Sequence, residues 1–252
     1  RSSRGPPERL RDMRGRGSSD ERRRAVSRRD IKVEMRRRSA PSDDPVSLHR
    51  RFLSVMRNSQ TRWWDPAAPI ADPKVRGSLE HQVDLGPALS RGGAGYVAYV
   101  HRSPDYTADQ ALYDDRLILG FSLSQEEYGD LLGSALVCLL EAFAPYRVQV
   151  ISDRGLMLDD YDVTLELAGV SGKDEDGRDG VARLWPATFL DDELCRRTFG
   201  LSADEVAARL AGVVERAESR SGGVFLVATT ELLGRDELVA LDLALRRRLT
   251  GP

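Results

Sequence analysis

Apolar residues recur at helical spacing in four stretches of the chain, namely residues 46–56, 124–143, 203–219 and 235–249. Recurrence at steps of three and four residues places apolar side chains on one side of a helix. Two stretches open with a Ser-x-x-Glu capping box, formed by Ser124 with Glu127 and by Ser202 with Glu205, which satisfies free N–H groups at a helix start. The pattern therefore predicts four amphipathic helices, and an acidic start at Asp191 predicts a shorter fifth helix.

Short β-branched, apolar or alternating runs predict the strands, which are Tyr96–Ser103, Arg116–Leu123, Arg147–Ser152, Tyr161–Leu167, Val181–Trp185 and Val224–Thr230. In Tyr161–Leu167 apolar and polar residues alternate, which predicts one buried and one solvated side. The Asp-Gly pairs of the tract 171–180 predict an exposed hairpin loop. Strands in adjacent pairs, followed by amphipathic helices, predict an α+β fold with a mostly antiparallel sheet. We expect one face of this sheet to be covered by the helices at 124–143, 203–219 and 235–249.

Charge divides the chain into a basic leader and an acidic body. Residues 1–44 contain 15 Lys and Arg against 8 Asp and Glu, a net charge of +7, whereas residues 45–252 contain 23 against 32, a net charge of −9. The leader lacks aromatic residues and a sustained apolar period, so it has too little apolar surface to fold alone. We predict a disordered leader at 1–44 and a single α+β domain at 45–252. The favoured interpretation of the leader is an upstream extension with the true start at Met35; the alternative is an arm for nucleic acid or anionic lipid.

Composition also limits where the protein works. The chain has no apolar run of about 18 residues and no signal-peptide core near its start, so the sequence supports neither a membrane span nor secretion. Cys138 and Cys195 lie in predicted helices and are interpreted as buried apolar residues rather than a disulfide. We therefore expect a cytoplasmic protein whose acidic body attracts basic partners and repels nucleic acid and membrane surfaces.

Carboxylates are the main candidates for chemistry. His49, His81 and His101 belong to no metal or nucleophile motif, and H-E-x-x-H, G-x-S-x-G and C-x-x-C do not occur in the sequence. Carboxylates cluster at Asp114–Asp115, at Asp159, Asp160 and Asp162, and at Asp191, Asp192 and Glu193. Such clusters could hold a divalent metal for hydrolysis, although acidic residues at helix starts are usually solvated caps. A non-enzymatic binding protein without a cofactor is the favoured prediction, and a divalent-metal-dependent hydrolase is the alternative.

The last third of the chain resembles a known class of proteins. The segment WPATFLDDELCRRTFGLS, the capped helix after it, the run GGVFLVATTELL and the closing Leu/Arg helix resemble small acidic α+β immunity proteins encoded beside bacterial polymorphic toxins. The resemblance lies in the general layout and carries no catalytic residues to this chain. It implies a cytosolic protein that binds and blocks a cognate toxin.

Charge and resemblance together predict the partner as a basic protein, namely a toxin domain, and not nucleic acid or a membrane. Carboxylates on an exposed edge speed encounter with a basic protein, while a few apolar or aromatic anchors supply most of the affinity. The predicted partner-binding residues are Asp159, Asp160, Asp162, Asp191, Asp192 and Glu193.

Overall fold

The computed structural model describes residues 28–74, 80–102 and 113–251. The strands in these ranges are β1 Arg29–Arg37, β2 Glu80–Asp84, β3 Ala94–Val100, β4 Asp115–Leu123, β5 Arg147–Ile151, β6 Ala187–Asp191, β7 Arg216–Arg220 and β8 Gly223–Val227. The helices are α1 Pro45–Asn58, α2 (residues 125–143), α3 Arg154–Ser171, α4 Asp192–Phe199, α5 Ala203–Leu210 and α6 Arg235–Thr250. Helix α2 runs from Gln125–Asp130 through a π-helical turn, Leu131–Ala135, into Leu136–Phe143. Within the described ranges, every helix is too short or too polar to traverse a bilayer.

All eight strands form one antiparallel sheet in the order β2-β3-β4-β1-β5-β6-β8-β7. The predicted α+β class and antiparallel sheet are therefore confirmed. The capping boxes at Ser124 and Ser202 are also present, each with the side chain of the glutamate three residues later bonded to the cap backbone. These local signals place the starts of α2 and α5 correctly because a cap needs only its own four residues.

The predicted disordered leader at 1–44 is wrong for its last part. Strand β1 lies at the centre of the sheet, paired with β4 on one side and with β5 on the other. Its residues Ile31, Val33 and Met35 are fully buried, while the positions between them are charged. This period-two alternation was hidden by the high arginine content of the surrounding segment. Residues 1–27 lie outside the described residues.

One face of the sheet is apolar from β2 to β8, whereas the edge strand β7 carries Glu218 on this face. The pairing register places Val97, Leu117, Met35, Val148, Phe189 and Phe225 side by side on this face. Helices α1 and α2 cover it, with the aromatic side chains of Phe52 and Phe143 in T-shaped contact. This layer forms the larger of the hydrophobic cores.

The opposite face is also covered, so the prediction of helices on one face only needs correction. Here Leu190, Val224 and Leu226 pack against α4, α5 and α6. Residues alternate between the two sides along a strand, so a strand that is apolar at every position, such as β8, must be covered on both. Over β1 and β5 the same face carries Glu34 and Arg147, which are both buried.

The segment predicted as strand Tyr161–Leu167 is instead part of α3, a helix of 18 residues. Asp153 caps its start by accepting the Leu156 N–H, and Gly172 ends it with a left-handed backbone, φ +70°. An alternating run forms a strand only if a neighbouring strand can pair with it, and here the long uninterrupted segment between two caps forms a helix. The tract 171–180 therefore joins a helix to a loop and is not the predicted hairpin.

Two further predicted elements are wrong in the C-terminal third. The helix predicted for 203–219 ends at Leu210, and Arg216–Arg220 forms β7. Ser221 and Gly222 both have positive φ, 51° and 75°, so they form the tight two-residue turn that joins β7 to β8. The predicted strand Val181–Trp185 is a loop whose backbone partners lie on α6: Leu184 N–H donates to Asp242, and Arg246 donates to the Val181 carbonyl.

Candidate interaction surface

The six predicted partner-binding carboxylates occur at two places in the fold. Asp159, Asp160 and Asp162 lie on α3, and Asp191, Asp192 and Glu193 lie where β6 passes into α4. No group of three or more His, Cys, Asp or Glu side chains suited to a metal occurs in residues 28–74, 80–102 or 113–251. The convergence of the two groups that the hydrolase alternative requires is therefore not found in this part of the chain.

The carboxylates at the start of α4 hold local structure together. Asp191 caps the helix by accepting the Leu194 N–H at 2.8 Å, and Asp192 accepts the Ala203 N–H at 2.8 Å. This backbone bond, followed by the bond from Arg196, lowers the pKa of Asp192. Arg38 forms ion pairs with both Asp191 and Glu193. Much of the charge of this group is thus compensated inside the molecule.

The carboxylates on α3 differ in how far they are compensated. Asp160 receives two bonds from Arg183, at 2.6 and 2.7 Å, and Asp159 pairs with Arg235. Asp162 is exposed, and the structure records no ion pair for it within the described ranges. Of the six predicted residues, Asp162 therefore presents its charge most directly to solvent.

Helix α3 is attached to the rest of the protein mainly at its first turns. Of its 18 residues only Leu156 and Thr164 are buried, whereas α6 buries four of 16. Leu156 packs with Trp185 and Leu238, and the partly buried Met157 lies against the same small cluster. The helix therefore projects most of its length into solvent.

The exposed part of α3 is unusually apolar for a solvated helix. Large apolar side chains are exposed at Leu158 48%, Tyr161 57%, Val163 56%, Leu165 53%, Leu167 51% and Val170 90%. Outside α3, the large apolar residues with comparable exposure in the described ranges are Val213, Val239 and Leu243. A concentration of exposed apolar side chains with polar neighbours is typical of a site where another molecule binds. This concentration on one helix makes α3 the candidate interaction surface.

A buried charge cluster fixes the loop that follows α3. Both the Nε and an Nη atom of Arg178 donate to Asp114, at 2.8 and 2.6 Å, and the Tyr146 hydroxyl donates to the same carboxylate at 2.5 Å. Asp176 accepts a bond from the buried Arg147 at 2.7 Å. Because an unpaired buried charge costs several kcal/mol, these pairs tie the loop firmly to the sheet. The C-terminal end of α3 is therefore attached to a well-anchored segment.

The sequence contains helix start and stop signals on both sides of this surface. Asp153 and Gly172 bracket an 18-residue segment with the start and stop signals of a helix. Read as a helix, the segment has apolar residues all around its circumference, which no single neighbouring layer can bury. Glu166, an exposed carboxylate of the same helix, was also missed.

Comparison with known proteins adds little to this geometry. The chain matches no protein-family model, and no curated protein shows significant sequence similarity to it. Among solved structures it is similar to one described as Pseudomonas aeruginosa T6SS protein PA0821, with 14% identity and a TM-score of 0.45. The match covers 88% of this chain and 73% of that chain. A likeness this distant carries no functional argument.

Proposed function

We propose that this protein is a non-enzymatic binding protein that neutralises a basic toxin domain, in the manner of an immunity protein. The observation that carries the proposal is helix α3, which exposes six large apolar side chains beside its carboxylates. Exposed apolar side chains lower the solubility of a free protein. Binding that covers them removes apolar surface from water, which contributes favourably to the free energy of binding. A protein partner supplies the apolar and polar surface that such a helix needs.

The charge of the chain supports a basic partner. With the boundary moved to residue 28, residues 28–252 contain 29 Lys and Arg against 36 Asp and Glu, a net charge of −7. Helix α3 itself carries four carboxylates and one cationic residue, Arg154. Such a field speeds encounter with a basic protein and suppresses binding of acidic ones. The resemblance of the last third to immunity proteins supports a toxin as that basic partner.

The six predicted carboxylates enter this proposal with different weights. Asp162, together with Glu166, is exposed on α3 and steers the approaching partner. Asp159 and Asp160 contribute through their place on the same helix, although each also pairs with an arginine. Asp191, Asp192 and Glu193 add to the general acidic field.

The test is co-expression with the product of the adjacent gene, since an immunity gene lies beside its toxin gene. We expect the chain to relieve the toxicity of that product and to form a stable complex with it in size-exclusion chromatography. If the adjacent product is harmless, or is toxic and is neither bound nor relieved by the full chain, the proposed function is wrong.

Charge reversal on α3 tests the electrostatic part of the proposal. We expect Asp162→Lys with Glu166→Lys to slow association about tenfold at low salt and to make the association rate less salt-dependent. The matched control is Glu126→Lys with Glu141→Lys, which changes the net charge equally at two exposed positions on α2, the helix that covers the other face of the sheet. Equal slowing of association in both double variants would show that the rate depends on the net charge of the protein and not on the carboxylates of α3.

A further inference from the structure

Three stripes of side chains run along the exposed side of α3, because positions three, four and seven residues apart share a side of a helix. The outer apolar stripe consists of Leu158, Tyr161 and Leu165. The acidic stripe beside it consists of Asp159, Asp162 and Glu166. The inner apolar stripe consists of Val163, Leu167 and Val170. All nine residues are exposed.

The inner apolar stripe borders a groove in this protein. Val163 and Leu167 line one wall, while Val181 and Ala182 from the loop after α3 line the other, and the space between them is about 280 Å³. Arg246 lies in the same groove, but its guanidinium is held by the carbonyls of Val181 and Ala182 and by Asp242. Asp160 and Glu175 also line the groove, and their carboxylates are bonded to Arg183 and Ser171. The groove can therefore accept an apolar side chain from outside without losing an internal bond.

We propose that α3 inserts into a groove of the basic partner, whose two walls are apolar and whose floor carries Lys or Arg. This inference rests on the proposed function and adds how the partner is recognised. One apolar wall covers Leu158 and Leu165, the other covers Val163 and Val170, and the cationic floor meets the acidic stripe between them. A helix held in a groove by anchors at such spacings is a common mode of recognition between proteins.

The acidic stripe argues against other occupants. A second copy of this chain, placed helix against helix, would bring Asp162 and Glu166 close to their own copies, and like charges repel. An anionic membrane surface would meet the same carboxylates between the two apolar stripes. Helices that bind such membranes carry Lys and Arg on the polar side, whereas Arg154 is the one cationic residue of α3. A basic protein surface fits both the charge and the apolar content.

The first test measures binding of the full chain to the immobilised product of the adjacent gene by biolayer interferometry. We expect Leu158→Ser with Leu165→Ser, and separately Val163→Ser with Val170→Ser, to weaken binding about 30-fold or more. The matched control is Val239→Ser with Leu243→Ser, which removes exposed apolar side chains, 36% and 49% exposed, from α6. The control should remain within about threefold of the wild type.

Folding of each variant is checked separately, so that a loss of binding cannot be attributed to unfolding. All four α3 side chains are about half exposed or more, so their removal leaves the core untouched. We expect unchanged circular dichroism and a melting temperature close to that of the wild type. If the Leu158→Ser with Leu165→Ser variant binds weakly and also melts early, it is replaced by Leu158→Gln with Leu165→Gln. Gln is also polar, but it favours the helix more than Ser does.

A second test needs no knowledge of the partner. The probe is a synthetic amphipathic helix made of Leu and Lys, and a Leu/Glu helix of equal length is its charge control. We expect the wild type to bind the Leu/Lys helix and not the Leu/Glu helix, and both α3 double variants to lose that binding. Binding of the Leu/Lys helix that survives in the α3 variants would overturn the proposal.

The remaining outcomes separate the inference from the function. If the wild type binds the adjacent product and the α3 variants bind it equally well, the α3 proposal is wrong and the proposed function stands. If the wild type neither binds the adjacent product nor relieves its toxicity, the proposed function fails, and the α3 proposal fails for that partner. Self-association in sedimentation velocity, or binding to phosphatidylglycerol vesicles, that is abolished by the α3 variants would assign the helix to another occupant.

Discussion

Truncation at Met35 is expected to unfold the protein, although sequence composition favours Met35 as a start. A chain that begins there lacks the first six residues of β1, including Ile31 and Val33. Both side chains are buried, and Lys32, Val33 and Glu34 pair with β4 and β5 at once. The deletion therefore removes core contacts and opens the middle of the sheet.

The size of this effect can be worked out from the two side chains. Burial of a Val or Ile side chain contributes about 1.5–3 kcal/mol, so the loss of Ile31 and Val33 costs about 3–6 kcal/mol. The backbone groups of β4 and β5 that faced the missing strand lose their partners, at about 1 kcal/mol for each net hydrogen bond. Domain stabilities are about 5–15 kcal/mol, so the sum removes most or all of the free energy of unfolding.

The assay compares two truncations by circular dichroism, urea unfolding and limited proteolysis. A chain beginning at Arg28 keeps all described contacts of β1 and is expected to unfold near the urea midpoint of the full chain. A chain beginning at Met35 is expected to show no cooperative transition. Ile31→Ala with Val33→Ala in the full chain provides a milder variant, expected to lower the free energy of unfolding by about 3 kcal/mol or more. A Met35 chain with the full-length midpoint would refute the reasoning.

Two further predictions concern buried ionisable groups. Burial raises the pKa of Glu34, but the charges of Arg36, Lys32 and Arg147 outweigh it and hold that pKa well below its usual range. The stabilisation is therefore complete above the unfolded-state pKa of about 4.3 and is lost as the pH falls further. Glu34→Gln should lower the free energy of unfolding by about 3 kcal/mol at neutral pH and by less at about pH 2, as measured by urea unfolding; an equal loss at both pH values would contradict this account. Burial also raises the pKa of Cys195 to about 12, so in a Cys138→Ser variant, which removes the partly exposed second thiol, Cys195 should react with an aromatic disulfide reagent only after unfolding. Fast labelling of that variant in its native state would contradict the burial of Cys195.

Local signals in the sequence were enough for much of the fold. The capping boxes at Ser124 and Ser202 gave correct helix starts, and the apolar runs that became β4, β5 and β8 were recognised as strands. Both kinds of signal depend on a few neighbouring residues, so they can be recognised in the sequence without knowing the rest of the structure. The α+β class followed from their order along the chain.

The candidate surface could be predicted only in part. Charge and resemblance together predict Asp162 as a partner-binding residue, and its exposure on α3 agrees with such a role without testing it. The apolar anchors Leu158, Tyr161 and Leu165 were missed because their segment was interpreted as a half-buried strand. Apolar residues count as core in any sequence pattern, and only the packing of the other elements shows which of them are left uncovered.

Tertiary structure alone decided the positions of β1 and α3. The alternation in β1 is compatible with a solvated arginine-rich segment. It becomes a central strand because β4 and β5, which pair with β3 and β6 on their other sides, each have one edge that only β1 satisfies. In α3 the same kind of alternation produced a helix, because its two caps favour helical geometry and its segment pairs with none of the described strands. The sequence by itself determined the elements whose stabilising contacts are local, and the sheet decided those whose contacts come from distant parts of the chain.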